Sequence, residues 1–166
     1  MSRDYRNTSE VEVEEDTLKD KYLTFALGKD VYGIEIRHIT EIIGIQHITE
    51  VPEVPSYVRG IINLRGRIVP VIDVRLKFGK AALPYNDRTC IIVVELEALV
   101  IGMIVDEVAD VMNIPEGQVA PPPEIRTGYQ NRYIRGIGKV GNDVKLLLDI
   151  ERFLNEDETQ VLSEME

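Results

Sequence analysis

The sequence predicts a mainly β protein: two small barrels of about five strands each, packed side by side, with short helices and a helical C-terminal segment. Three observations predict it. The stretch Tyr57 to Asp73, YVRGIINLRGRIVPVID, reads as two apolar strands joined at Arg65-Gly66, where Gly66 can take the positive φ of a two-residue turn. Both strands are apolar on both faces, so one face meets a barrel interior and the other a second layer or a partner. Finally, the chain repeats itself. YIRGIGKVGNDVKLLLDI from Tyr133 overlays YVRGIINLRGRIVPVIDV without a gap, an offset of 133 − 57 = 76. Upstream, Gly33 to Ile36 overlays Gly102 to Val105 at 102 − 33 = 69, and the difference falls in an insertion around Pro121-Pro122-Pro123.

Taken in order, residues 1–20 are acidic and nearly free of large apolar side chains, which predicts a solvated, disordered tail. KYLTFAL and VYGIEI alternate on either side of a Gly28 to Asp30 turn and read as a hairpin. RHITEIIG fits a helix or a kinked third strand equally well. Pro52 and Pro55 break the chain, and SYVRG reads as one helical turn closed by Gly60. Pro70 cannot donate to a ladder, which predicts an edge strand or a bulge there. The repeat places the first barrel at residues 21–83 and the second at 84–154. Each has a marginal core alone, so the two should form one cooperative body. IERFLNEDETQVLSEM reads as a helix offering Ile150, Phe153, Leu154, Val161, Leu162 and Met165 for packing, with 155–166 as a helical tail.

Composition narrows the function. The net charge of −10 argues against nucleic acid or an anionic membrane surface as the main partner. Glu95 and Glu97 interrupt the most apolar region, so no run is long enough to span a membrane. The single Cys90 cannot staple the fold and is compatible with a reducing cytoplasm; opening the run CIIVV, it reads as a buried, inert thiol. His38 and His47 make no metal spacing with Cys90 and read as surface strand residues. Asp106, Glu107 and Asp110 lack the loop of a calcium motif and read as a solvated strand end. No nucleophile elbow, phosphate loop or dinucleotide fingerprint is present, so neither catalysis nor a cofactor is expected.

The repeat separates fold from function. Arg59 and Gly60 are matched by Arg135 and Gly136 and are structural first. Asn63, Arg65, Gly66 and Pro70 are not: the second copy has Lys139, Gly141, Asn142 and Leu146. The NLRG tetrapeptide therefore marks the first copy, either as a plain glycine turn with a solvated Arg65 or as a functional surface. Glu41 corresponds to Asp110, which favours a fold or edge-protecting role; its pairing with Arg65 is the functional version of the same observation.

With these residues in hand, the sequence resembles the CheW family of bacterial chemotaxis coupling proteins over roughly Tyr22 to Phe153. The resemblance rests on YGIEI at Tyr32 to Ile36, EII at Glu41 to Ile43, RGIINLRGRIVPVIDVR at Arg59 to Arg75, YND at Tyr85 to Asp87 and VIGMIVDEV at Val100 to Val108. It implies two five-stranded SH3-like barrels, no catalysis and no cofactor or metal. It also implies a monomeric cytoplasmic adaptor, recruited to membrane receptor arrays, which joins the cytoplasmic tips of transmembrane chemoreceptors to the regulatory domain of the histidine kinase CheA. By motif match it assigns partner contacts to Ile39, Glu41, Ile43, Gly60, Asn63 and Arg65. The alternative is a module of this kind serving another two-component signalling complex. As the segment lacks phosphotransfer, ATP-binding and receiver elements, a stand-alone adaptor is the better reading than part of a kinase or a receiver fusion.

Overall fold

A computed structural model describes residues 18–122 and 132–154. All but the last three residues of the expected 1–20 tail, all but the start of the proline-rich insertion, and the helical tail beyond Leu154 lie outside the described residues. Among the described residues, eleven strands form two sheets. The strands are β1 Lys21–Leu27, β2 Asp30–Glu35, β3 Ile39–Gly44, β4 Val58–Leu64, β5 Arg67–Asp73, β6 Cys90–Leu96, β7 Leu99–Val105, β8 Glu107–Asn113, β9 Val119–Ala120, β10 Ile134–Val140 and β11 Asp143–Leu148. Two single-turn helices follow β5 and β11: α1 Val74–Lys77 and α2 Ile150–Phe153.

One sheet has the order β3-β6-β7-β5-β4 and the other β8-β1-β2-β11-β10-β9. The first is contiguous in sequence, and we call it the inserted barrel. The second takes β1 and β2 from one side of that insertion and β8 to β11 from the other; it is the split barrel. The expected boundary between residues 83 and 84 therefore does not divide the barrels. The chain crosses between them at a 3-10 turn, Ile36–His38, and again at the single residue Asp106. The reason lies in the repeat itself. Equivalent strands occupy equivalent places in the two sheets, but each copy gives its first hairpin to one sheet and its remaining strands to the other.

The repeat is visible down to single hydrogen bonds. The Asp73 N–H donates to the Tyr57 carbonyl at 2.7 Å, and Asp149 N–H to Tyr133 at 2.8 Å. Each aspartate side chain then caps the helix that follows, accepting from Leu76 N–H and Arg152 N–H. Matching bulges fall at Val58/Gly60 and Ile134/Gly136, and matching parallel ladders join Val71 to Gly102 and Leu147 to Gly33. The undecided RHITEIIG segment is a 3-10 turn followed by a strand. The SYVRG segment is not a helix: Ser56 and Tyr57 turn, and strand β4 already runs from Val58.

Pro70 lies in an interior strand, not at an edge. It is paired with Ile61, whose own N–H and carbonyl both bond to Thr49 at 2.9 Å, so no ladder bond to β4 is required of the proline. The parallel ladder with β7 starts one residue later, at Val71. The bulge is on β4 instead.

Three apolar clusters explain why the strands are apolar on both faces. Ile62, Val69, Val71, Ile91, Val93, Val100 and Ile104 fill the inserted barrel. Tyr22, Ile114 and Leu147 fill the split barrel. The largest cluster lies between the sheets and includes Phe25, Tyr32, Ile72, Phe78, Ile92, Ile101, Tyr133 and Phe153. The second face of the strands thus meets the other barrel. At the centre of this shared layer Lys77 occupies the place that Phe153 holds in the other copy, 153 − 77 = 76. Its ammonium sits 4.4 Å from the centroid of the Tyr57 ring and 5.2 Å from those of Tyr133 and Phe153. Burial, with the charge of Arg132, pushes its pKa down to about 8.

Candidate partner-binding surface

Leu64 pairs with Arg67, which leaves Arg65 and Gly66 as a two-residue loop. Their φ values, 53° and 87°, are both positive, as the twist of a tight hairpin demands. Asn63 holds the turn by accepting the Gly66 N–H on its Oδ1 at 2.8 Å. The NLRG tetrapeptide is thereby explained residue by residue, and its geometry throws Arg65 outward, 71 % exposed at the side chain.

β3 and β4 are the outer strands in the order of the five-stranded sheet, and curling brings them together. The segment after β3 closes the seam: Thr49 exchanges both backbone bonds with Ile61, and Gln46 Nε2 donates to the Asn63 carbonyl at 3.3 Å. Arg65 reaches across the same seam to Glu41 as a two-pronged fork, one nitrogen on Oε1 at 3.1 Å and the other on Oε2. The hydrogen bonds from Arg65 hold the Glu41 carboxyl below its ordinary range, and Glu41 in turn raises the Arg65 guanidinium. The pair expected from sequence is thus formed, on the surface, at the mouth of the inserted barrel.

The other expected site residues sit differently. Ile39 is half-buried against the inter-sheet core and Ile43 against the core of the inserted barrel. Gly60 is buried with φ 143°, and a Cβ there would stand 2.0 Å from the Thr49 carbonyl oxygen. It keeps the barrel seam closed and presents no surface of its own. Reasoning from sequence missed two side chains: Ile42, 42 % exposed on β3 beside Glu41, and Ile68, 38 % exposed beyond the turn. The strict alternation of a strand makes Ile42 face outward once Glu41 and Ile43 face the barrel, a signal available only after the segment is known to be a strand.

Of the remaining candidates, His38 lies in the 3-10 turn and His47 in the loop after β3, so neither is a strand residue. Burial, then the charge of Arg37, lowers the His38 pKa. Cys90 is half-buried and its thiol donates to the Arg88 carbonyl at 3.3 Å. Asp106 departs most from expectation. It is not a solvated strand end: Arg75 Nε and Nη2 donate to its two oxygens at 2.7 and 2.6 Å, and Gly28 N–H donates at 2.9 Å. No group of three or more metal-ligating side chains is found among the described residues.

A family model, described as CheW-like domain, matches residues 21–158. The chain belongs to the CheW-like family. Its relatives include the chemotaxis protein CheW of Klebsiella aerogenes, 36 % identical over 143 residues that cover 86 % of each chain. The chemotaxis protein CheW of Helicobacter pylori is 34 % identical over 137 residues, 82 % of each chain. Among solved structures, the scaffolding protein TtCheW of Thermoanaerobacter tengcongensis superposes with a TM-score of 0.77 at 32 % identity, covering 84 % of this chain and 94 % of that one. The family and the two-barrel architecture expected from sequence are thus both found. No helix among the described residues is long and apolar enough to cross a membrane.

Proposed function

We propose that the protein is a non-catalytic chemotaxis adaptor that couples transmembrane chemoreceptors to the histidine kinase CheA. One observation carries the reading furthest. The first repeat copy has an exposed, fork-bonded Arg65–Glu41 pair flanked by exposed Ile42 and Ile68, whereas the second copy has Gly141 in place of Arg65. A fixed charge pair beside exposed apolar side chains is the chemistry of a protein–protein contact, with the charges setting register and the apolar groups supplying burial. The finer assignment is that this surface, with Asn63 shaping its turn, meets the kinase regulatory domain or the cytoplasmic receptor tip. Ile39, Ile43 and Gly60 act behind it by holding the strands. In this reading the protein is a cytoplasmic monomer on its own and joins receptor arrays through its partners.

Titration calorimetry against a purified kinase regulatory domain, then against a receptor signalling-tip fragment, tests the proposal. Saturable binding to both without competition is expected. Binding to neither would refute the coupling role and leave the module to another signalling complex.

A further inference from the structure

The two crossings between the barrels are equivalent in the repeat, since residue 37 and residue 106 differ by the upstream offset, 106 − 37 = 69. Only the second is clamped. At Asp106 the carboxylate is gripped from one side by Arg75 of α1, which extends the inserted barrel, and from the other by the backbone of Gly28 in the β1–β2 turn of the split barrel. Beside it Lys80, just past α1, pairs with Asp30 of β2 at 3.5 Å, a second ionic link between the same two bodies. The Arg75 side chain is 13 % exposed, against 71 % for Arg65 in the surface pair, while the two carboxylates are alike at 26 % for Asp106 and 28 % for Glu41. The repeat-equivalent place holds Arg37, Glu151 and Glu97, and Arg37 pairs instead with Glu35 of its own neighbouring strand. The fold thus completes one crossing without any such clamp.

We infer that the Arg75–Asp106–Gly28 clamp, assisted by Lys80–Asp30, fixes the angle between the two barrels. The apolar layer between the sheets holds them together but is non-directional. A bidentate guanidinium–carboxylate pair is directional, and a carboxylate that also accepts a backbone N–H cannot rotate without breaking one of its bonds. The clamp also forms a wall of a recess at the barrel junction, lined further by Asp73, Tyr85 and Thr89. For an adaptor the angle matters because it sets how partners on different barrels face each other. That consequence rests on the proposed coupling role; the angle itself does not.

The test is therefore made on the protein alone. Nitroxide labels are attached at Ile68→Cys on the inserted barrel and Val144→Cys on the split barrel, both exposed positions, in a Cys90→Ser background. Double electron–electron resonance then reads the distance distribution between them. Arg75→Met and Asp106→Asn are expected to broaden and shift it while the circular-dichroism spectrum stays folded. Glu41→Gln, which weakens the pair at the barrel mouth, should leave it unchanged. An unaltered distribution in both clamp variants would overturn the inference. So would failure of both to fold, which would make the clamp a support of the fold and not of the angle. Partner calorimetry on Arg75→Met and Asp106→Asn made in the unlabelled protein, with Ile68 intact, separates the two proposals, because a broadened distribution with undisturbed binding retains the clamp and removes its importance to coupling.

Discussion

Gly60→Ala is the substitution whose cost the structure defines most fully. The residue sits at φ 143°, a region that side chains other than glycine rarely enter, and holding alanine there costs about 1–3 kcal/mol. The added methyl would also stand 2.0 Å from the Thr49 carbonyl oxygen, backbone that cannot swing aside as a side chain would. Relief requires β4 to move off the 46–49 segment, which breaks the two 2.9 Å bonds between Thr49 and Ile61. Those contribute about 1 kcal/mol each. The sum is roughly 3–5 kcal/mol, a large share of the 5–15 kcal/mol that typically separates folded from unfolded domains. Urea unfolding followed by circular dichroism reads it directly: with a slope near 2 kcal/mol per molar, the midpoint should fall by about 2 M. Gly66→Ala is the matched control, since it also has positive φ but nothing within 4 Å of the new Cβ, and about 1 kcal/mol is expected of it. Equal midpoints for the two variants would refute the steric argument. A Gly60→Ala protein of native stability that failed to bind partners would make Gly60 a contact residue after all.

Further outcomes follow from other sites. Tyr32 is fully buried and its hydroxyl has no hydrogen-bond partner among the described residues, while burial and the charge of Asp30 push its pKa up to about 12. Tyr32→Phe should therefore leave stability unchanged or raise it by up to about 1 kcal/mol in the same urea assay; a loss beyond that would reveal a bond the hydroxyl makes. Arg65→Asp and Glu41→Arg should each weaken partner binding by calorimetry with the folded spectrum intact, and loss of that spectrum would make the pair structural. Burial pushes the Asp106 carboxyl up, but the bonds from Arg75 and Gly28 and the charges of Arg75 and Lys80 outweigh it and hold the pKa below 3.8. A folded value below the unfolded one means that the stabilisation is complete above pH 3.8 and is lost as pH falls through the folded value. Acid unfolding of Asp106→Asn should lack that component, and an acid profile that merely shifts down in parallel would show that the group does not titrate with folding.

How much of this was legible in the sequence depends on range. The Arg65-Gly66 turn, the flanking strands and the doubling of the chain are local patterns, set by backbone sterics and by side-chain period, and each is found where expected. The exchange of strands between barrels is not local. Nothing in KYLTFAL says that its second neighbour is EVADVMN rather than a strand of its own copy, because either pairing buries the same face. Pro70 misled for a related reason: whether a missing N–H matters depends on which side the ladder lies, and Thr49 had already taken that side of Ile61. Asp106 read as solvent-facing because its partner Arg75 is distant in sequence and the charge pattern around it, DEVAD, is that of a water-exposed edge. The Glu41–Arg65 pair could be named because both residues sit in segments that the repeat had already singled out.

The nesting of one barrel inside the other also orders events in time. The inserted barrel draws its strands from one unbroken stretch, so its widest pairing, Ile39 to Val94, spans 94 − 39 = 55 residues. The split barrel must join Tyr32 to Leu146, a separation of 146 − 32 = 114 residues. Contacts so remote raise the contact order and slow the step that makes them. Until then the β1–β2 hairpin carries Phe25, Leu27 and Ile34 with half of their covering missing. The folded outer face of the inserted barrel is the first surface that can receive them. The insert thus serves as the template on which its host is completed, and a nascent chain halted before β8 would hold one finished barrel and an orphaned hairpin.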